Sequence, residues 1–134
     1  MLLGFNRMKY KIKSLQDELN QAPLLLRIML MDADLYCQTH FQKELTITRV
    51  LGKIQGDSGV HADYRAADAR NELNGSWTFT LEQVDELLAH INKIYLRNDG
   101  FDSVIHHSFQ GAPFHFHFQI ATLTKTYMPK GLKN

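Results

Sequence analysis

The stretch Phe114-His115-Phe116-His117-Phe118-Gln119-Ile120 alternates apolar and polar residues without a break. A helix would spread that alternation around its circumference, whereas a strand sorts it onto two faces. The segment therefore reads as a strand with Phe114, Phe116, Phe118 and Ile120 toward a core. His115, His117 and Gln119 share the opposite side. Water alone would be met as well by Thr, Lys or Ser, so two imidazoles and an amide point to a selected face.

The rest of the chain can supply the core that such a strand needs. Its 134 residues suit one domain, and 44% hydrophobic with 22% charged residues is ordinary for a globular protein. A net charge of +1 gives no electrostatic case for nucleic acid or an anionic membrane. The single cysteine, Cys37, excludes an internal disulfide and reads as a small buried hydrophobe. The longest apolar run, "APLLLRIMLM", is broken by Arg27 and too short to span a bilayer. The start, "MLLGFNRMKYKIK", puts apolar residues before basic ones, the reverse of a secretory signal. Synthesis in the cytoplasm without a recognisable leader is the expectation.

Residues 1–21 read as a polar N-terminal arm or short strand. Pro23 fits the first turn of a helix running to Phe41, whose Leu- and Met-rich sequence predicts burial on most sides. "ELTITRVL" and "RAADAR" read as strands, "GKIQGDSGV" as a loop, and Asn74-Gly75 as a tight turn. Trp77 and Phe79 read as core. Thr80 and Gln83 have capping-box spacing, followed by Val84, Leu87, Leu88, Ile91, Ile94 and Tyr95 on one helical face, with "NDG" at 98–100 as the stop. "DSVIHHSF" and "FHFHFQIATL", joined by "QGAP", predict a closing hairpin. The sum is a single α+β domain with a small, mostly antiparallel sheet covered by helices.

Seven histidines occur. His90 falls on the exposed side of its helix, and His40 closes the first helix, where it suits the dipole. His106 and His107 point to opposite faces, so at most one can look toward His115 and His117. His61 and Asp68 are seven residues apart, about 23 Å on a straight strand and roughly 10 Å on a helix. They can share an ion only if residues 62–67 fold back as a loop into a strand at Asp68. Two histidines and a carboxylate form a zinc set with an open fourth position. His115 and His117 lie about 7 Å apart along their strand. One ligand and one proton-handling neighbour is therefore the more natural division.

A histidine, six residues, an aspartate and a later His-x-His on a strand resemble the zinc D-Ala-D-Ala carboxypeptidases, a family that shares its fold with the Hedgehog signalling domain. "HFHFQ" also resembles the ending of small phage-encoded members, and the likeness spans roughly residues 22–122. The resemblance implies one Zn²⁺ held by His61, Asp68 and His117, with His115 as the auxiliary catalytic histidine. It implies hydrolysis of peptide bonds in peptidoglycan stem peptides or cross-links, by a phage lysis or virion-borne enzyme acting on the cell wall. A monomer meeting peptidoglycan peptides, with no nucleic acid and no membrane insertion, is the matching expectation. The family's carboxylate-binding arginine aligns with Gly52, so Arg49 is the substrate-binding candidate, with Lys53 or Arg65 as substitutes. Phe114 stands where some branches carry an acidic base. The alternative is a zinc-containing binding module of the same fold without turnover. Gln119 reads either as a donor supporting the metal ligands or as an ordinary strand amide.

Overall fold

The structure is a computed structural model that describes residues 8–50, 65–108 and 110–120. His61, Gly52, Lys53 and the loop expected at 52–60 lie outside the described residues. The elements are β1 (Lys9–Tyr10), α1 (Ser14–Asn20), α2 (Leu24–Phe41), β2 (Thr46–Arg49), β3 (Ala66–Arg70), β4 (Glu72–Leu73), β5 (Ser76–Trp77), α3 (Leu81–Ile94), β6 (Val104–His107) and β7 (His115–Gln119). Five strands form a sheet in the order β1-β2-β3-β7-β6, antiparallel except where β1 meets β2. β4 and β5 make a separate hairpin. This is the mixed helix-and-sheet, mostly antiparallel arrangement that the alternation and the helical periods predict. No helix among the described residues is long and apolar enough to cross a membrane.

The alternation of β7 sorts as its sequence requires. Phe116 and Phe118 are fully buried, while His115, His117 and Gln119 are half-buried. On β3, Ala69 and Ala67 lie opposite Phe116 and Phe118, so small residues make room for the rings. Onto this side pack Leu26, Met29, Leu30 and Ala33 of α2, Val84, Leu87 and Ile91 of α3, and Leu15 and Leu19 of α1. Each large side chain taken out of water contributes about 1.5–3 kcal/mol. Phe114, at the strand's entrance, is half-buried and stacks on His106 at 5.1 Å.

The capping box of α3 is formed: the Thr80 hydroxyl accepts from the Gln83 N–H, and the Gln83 amide oxygen accepts from the Thr80 N–H. The helix ends at Ile94, four residues before Asn98-Asp99-Gly100, and Ile94 itself is exposed. Asn74 and Gly75 have φ of 53° and 82°. Both are left-handed, as the two central residues of a type I′ hairpin turn must be.

Several expectations need correction. Lys9–Tyr10 forms the short strand that the alternation allows, but Ser14–Asn20 is a helix rather than an arm, and it drives Leu15 and Leu19 into the core. Pro23 caps α2 with extended ψ of 146° rather than entering its first turn. α2 is covered on most of its circumference but leaves one stripe exposed at Leu24, Ile28 and Leu35. Its apolarity does not identify the packed side. Trp77 is 39% exposed, whereas Phe79 is core as expected. His90 is not a free surface residue. Its Nε2 lies 3.0 Å from Asp32 Oδ1 on α2, and its ring stacks on Tyr36 at 4.0 Å.

Two buried polar side chains organise the chain around the sheet. Asp34, fully buried in α2, accepts from the Leu45 N–H at 2.8 Å and from the Gln38 amide at 2.6 Å, fixing the approach to β2. Asn92 of α3 accepts from the N–H groups of Ser103 (2.8 Å) and Val104 (2.9 Å) and donates to the Val104 carbonyl (3.0 Å). That amide sets the position of β6 against the helix, and so the position of His107.

Candidate functional site

The face of the sheet away from the core carries the polar residues. Residues opposite one another on antiparallel strands share a face. Asp68 lies opposite His117, Arg70 opposite His115, Ile105 opposite His117, and His107 opposite His115. Across an irregularity in β2, Arg49 lies opposite Asp68. Asp68, His107, His115, His117 and Gln119 therefore gather on the three central and edge strands, with Arg49 and Arg70 beside them.

Asp68 is the hub and is only 6% exposed. Its Oδ1 lies 2.9 Å from His117 Nδ1, and its Oδ2 lies 3.7 Å from His115 Nε2. The separation of the two histidines along β7 is bridged from the neighbouring strand, because one carboxylate presents an oxygen to each ring. The register of β3, which sets Asp68 opposite His117, brings that carboxylate within reach of both rings. On its far side the His117 ring meets Gln119, with Nε2 3.0 Å from Oε1. His115 Nδ1 donates to the Pro113 carbonyl at 3.0 Å.

Burial alone would lower the pKa of His117. The hydrogen bond and charge of Asp68 outweigh it, and the net movement is upward. His107 moves the other way. Burial lowers its pKa, and positive charge on His115 and His117 would lower it further. Its ring centroid is 4.6 Å from that of His115 and 5.8 Å from that of His117. His106 is turned to the core side, where it accepts from the Asn71 amide at 2.9 Å and packs on Phe116 and Trp77. Burial, then the neighbouring imidazoles, lower its pKa too.

Of the residues expected at a site, Asp68, His115, His117 and Arg49 come together on one face. His61 lies outside the described residues. Arg65 is turned to the chain, donating to the Ile120 carbonyl at 3.3 Å, and is a poor substitute for a substrate-binding arginine. β3 begins at Ala66, so Asp68 sits mid-strand rather than at a loop's entry. Among the described residues no set of three His, Cys, Asp or Glu closes on an ion by itself. Asp68 and His117 supply two donors of the expected three. The sequence alone leaves His106 and His107 undecided. The alternation in "VIHH" shows that only one of the pair can join the site, and the register with β7 selects His107. Cys37 is fully buried, and burial raises its thiol pKa, so it takes no part.

Compared with protein-family models, with curated proteins and with solved structures, the chain has no match in any of the three.

Proposed function

We propose that this chain is a zinc peptidase that cuts peptide bonds in bacterial peptidoglycan stem peptides or cross-links. Its domain would be of the D-Ala-D-Ala carboxypeptidase and Hedgehog type. The observation that carries the reading is the convergence of His117 Nδ1 and His115 Nε2 on the two oxygens of one nearly buried carboxylate. A carboxylate oxygen and an imidazole nitrogen this close are donors that zinc accepts, and His61 would complete the set of His61, Asp68 and His117. Zinc held there would supply Lewis acidity, polarising a carbonyl and bringing the pKa of water to about 7.

The chain's own residues do the remainder. The Pro113 carbonyl holds the His115 ring with Nε2 facing the site, where it can take a proton from a nucleophile and return it to the leaving amine. Arg49, close enough for its charge to be felt by His117, would hold a substrate carboxylate. The enzyme would meet the wall after release from the cell or as part of a virion.

A second reading, a zinc-containing binding module without turnover, is favoured by one observation. Phe114 stands where some relatives carry an acidic base, and here it is stacked on His106. One experiment tests both readings. The purified protein is assayed for zinc and for clearing of a peptidoglycan suspension, with and without a chelator. Zinc at about one per chain with chelator-sensitive clearing supports the peptidase. Zinc without clearing supports the binding module. Absence of zinc after reconstitution at neutral pH rejects both.

A further inference from the structure

We infer that Gln119 is the positioning residue of this site, its amide oxygen holding His117 in the tautomer that turns Nδ1 toward a metal. The inference rests on the zinc reading above. His117 and Gln119 are two residues apart on one strand face, and the Gln119 Oε1 lies 3.0 Å from His117 Nε2. A carbonyl oxygen only accepts, so Nε2 carries the proton. On the other side of the same ring, Nδ1 meets the Asp68 Oδ1, again an acceptor, at 2.9 Å. An imidazole between two acceptors has two self-consistent states. Either both nitrogens are protonated, or Nε2 alone is protonated and a cation lies between Nδ1 and the carboxylate. The second is the ligand state, since a metal needs a nitrogen lone pair.

His115 is held at the opposite nitrogen. Its Nδ1 donates to the Pro113 carbonyl, leaving Nε2 toward Asp68 Oδ2. With a cation in place, neighbouring histidines on one strand would be set in opposite tautomers, each turning its second nitrogen toward one carboxylate. The lock on His115 is a backbone carbonyl that no substitution removes. The lock on His117 is a side chain. The sequence allows Gln119 to be a donor or an ordinary strand amide; the geometry makes it an acceptor.

The test is zinc affinity of the full chain, read by competition with a chromophoric chelator, for the parent and for Gln119→Leu, Gln119→Lys and Gln119→Glu. Leucine has no acceptor and lysine only donates, so both should bind zinc about 10- to 100-fold more weakly, the usual range for such supporting groups. Glutamate keeps an acceptor and should bind at least as tightly as the parent. Thermal unfolding of the metal-free proteins checks that each variant folds, and the lysine variant stands in should the leucine variant fail to. Parent-like affinity in the leucine and lysine variants overturns the inference while leaving the zinc reading intact. Equal loss in the leucine and glutamate variants also overturns it, because the amide would then act by packing alone. A parent that binds no zinc overturns this inference and the zinc reading together.

Discussion

The two faces of the β3–β7–β6 ladder come from the same three strands, one residue out of phase, and are held by opposite means. On the helix side Ala67, Ala69, Phe116, Phe118 and Val104 are at most 1% exposed and are matched by size. On the other side Asp68, His115 and His117 keep 9–18% of their side chains accessible and are matched by donors and acceptors. The first face fails when volume is lost. The second fails when a single proton or lone pair is misplaced, with the fold still standing. A one-residue slip of β7 would exchange the two sets, so the core fixes the register that the site requires.

The largest effects test this separation of roles. His117→Ala should lose zinc and activity together, while His115→Ala should keep zinc and lose activity by about 10²- to 10⁴-fold, the usual worth of a positioned acid–base group. Metal content alongside turnover on wall fragments decides it. Equal loss of metal in both would make His115 a ligand as well, which its position on Asp68 Oδ2 would then explain. Phe116→Ala sits between those two residues on the other face. It should cost about 3–5 kcal/mol in urea unfolding of the metal-free protein, against well under half that for His117→Ala. Comparable losses from the two would erase the contrast.

Sequence reached this contrast because strand alternation is a strong local signal, and β7 carries it without a fault. The capping box of α3 and the Asn74-Gly75 turn were legible for the same reason, since each is a backbone requirement written in neighbouring residues. What stayed hidden depends on partners far along the chain. α1 has only Leu15 and Leu19 to mark its buried side, too few to stand out from a polar arm. The choice of His107 over His106 is made by register with β7. The bridging role of Asp68 depends on which strand lies next to β7, and that is topology. Asn92 looks like any polar residue on a helix until Ser103 and Val104 arrive beside it.

Asn92→Ala is the next expected effect in size. It removes three hydrogen bonds to the backbone of Ser103 and Val104 at the start of β6, part of whose cost water can recover, so about 2 kcal/mol is expected in chemical unfolding. Faster amide exchange at Val104 should accompany it. Unchanged exchange there would mean that β6 is placed by β7 alone.

The smallest effect is in pH. His117 has a raised pKa in the folded metal-free protein, so its stabilisation is complete below about 6.5 and is lost as pH rises through the raised value. His106 and His107 have lowered values, so their stabilisation is complete above about 6.5 and is lost as pH falls through those values. The histidine contribution to metal-free stability should therefore peak near pH 6.5. His117→Ala should flatten the alkaline limb, and His106→Asn should soften the acid limb. Denaturant midpoints measured across pH 5–8 would show whether His117 titrates in the opposite sense to His106 and His107.

A sheet in solution ends in rows of peptide groups that a second chain can adopt as a template for its own strand. At one end of this sheet, β1 is two residues long and is followed by the exposed Lys11 and Lys13, whose charges repel a neighbouring copy. At the other end, the Asn92 amide already occupies both peptide groups of Val104, standing where a sixth strand would begin. Growth by ladder addition, the route to fibrous aggregates, is thus obstructed at both ends. A peptide arriving beside β6 would first have to displace that amide.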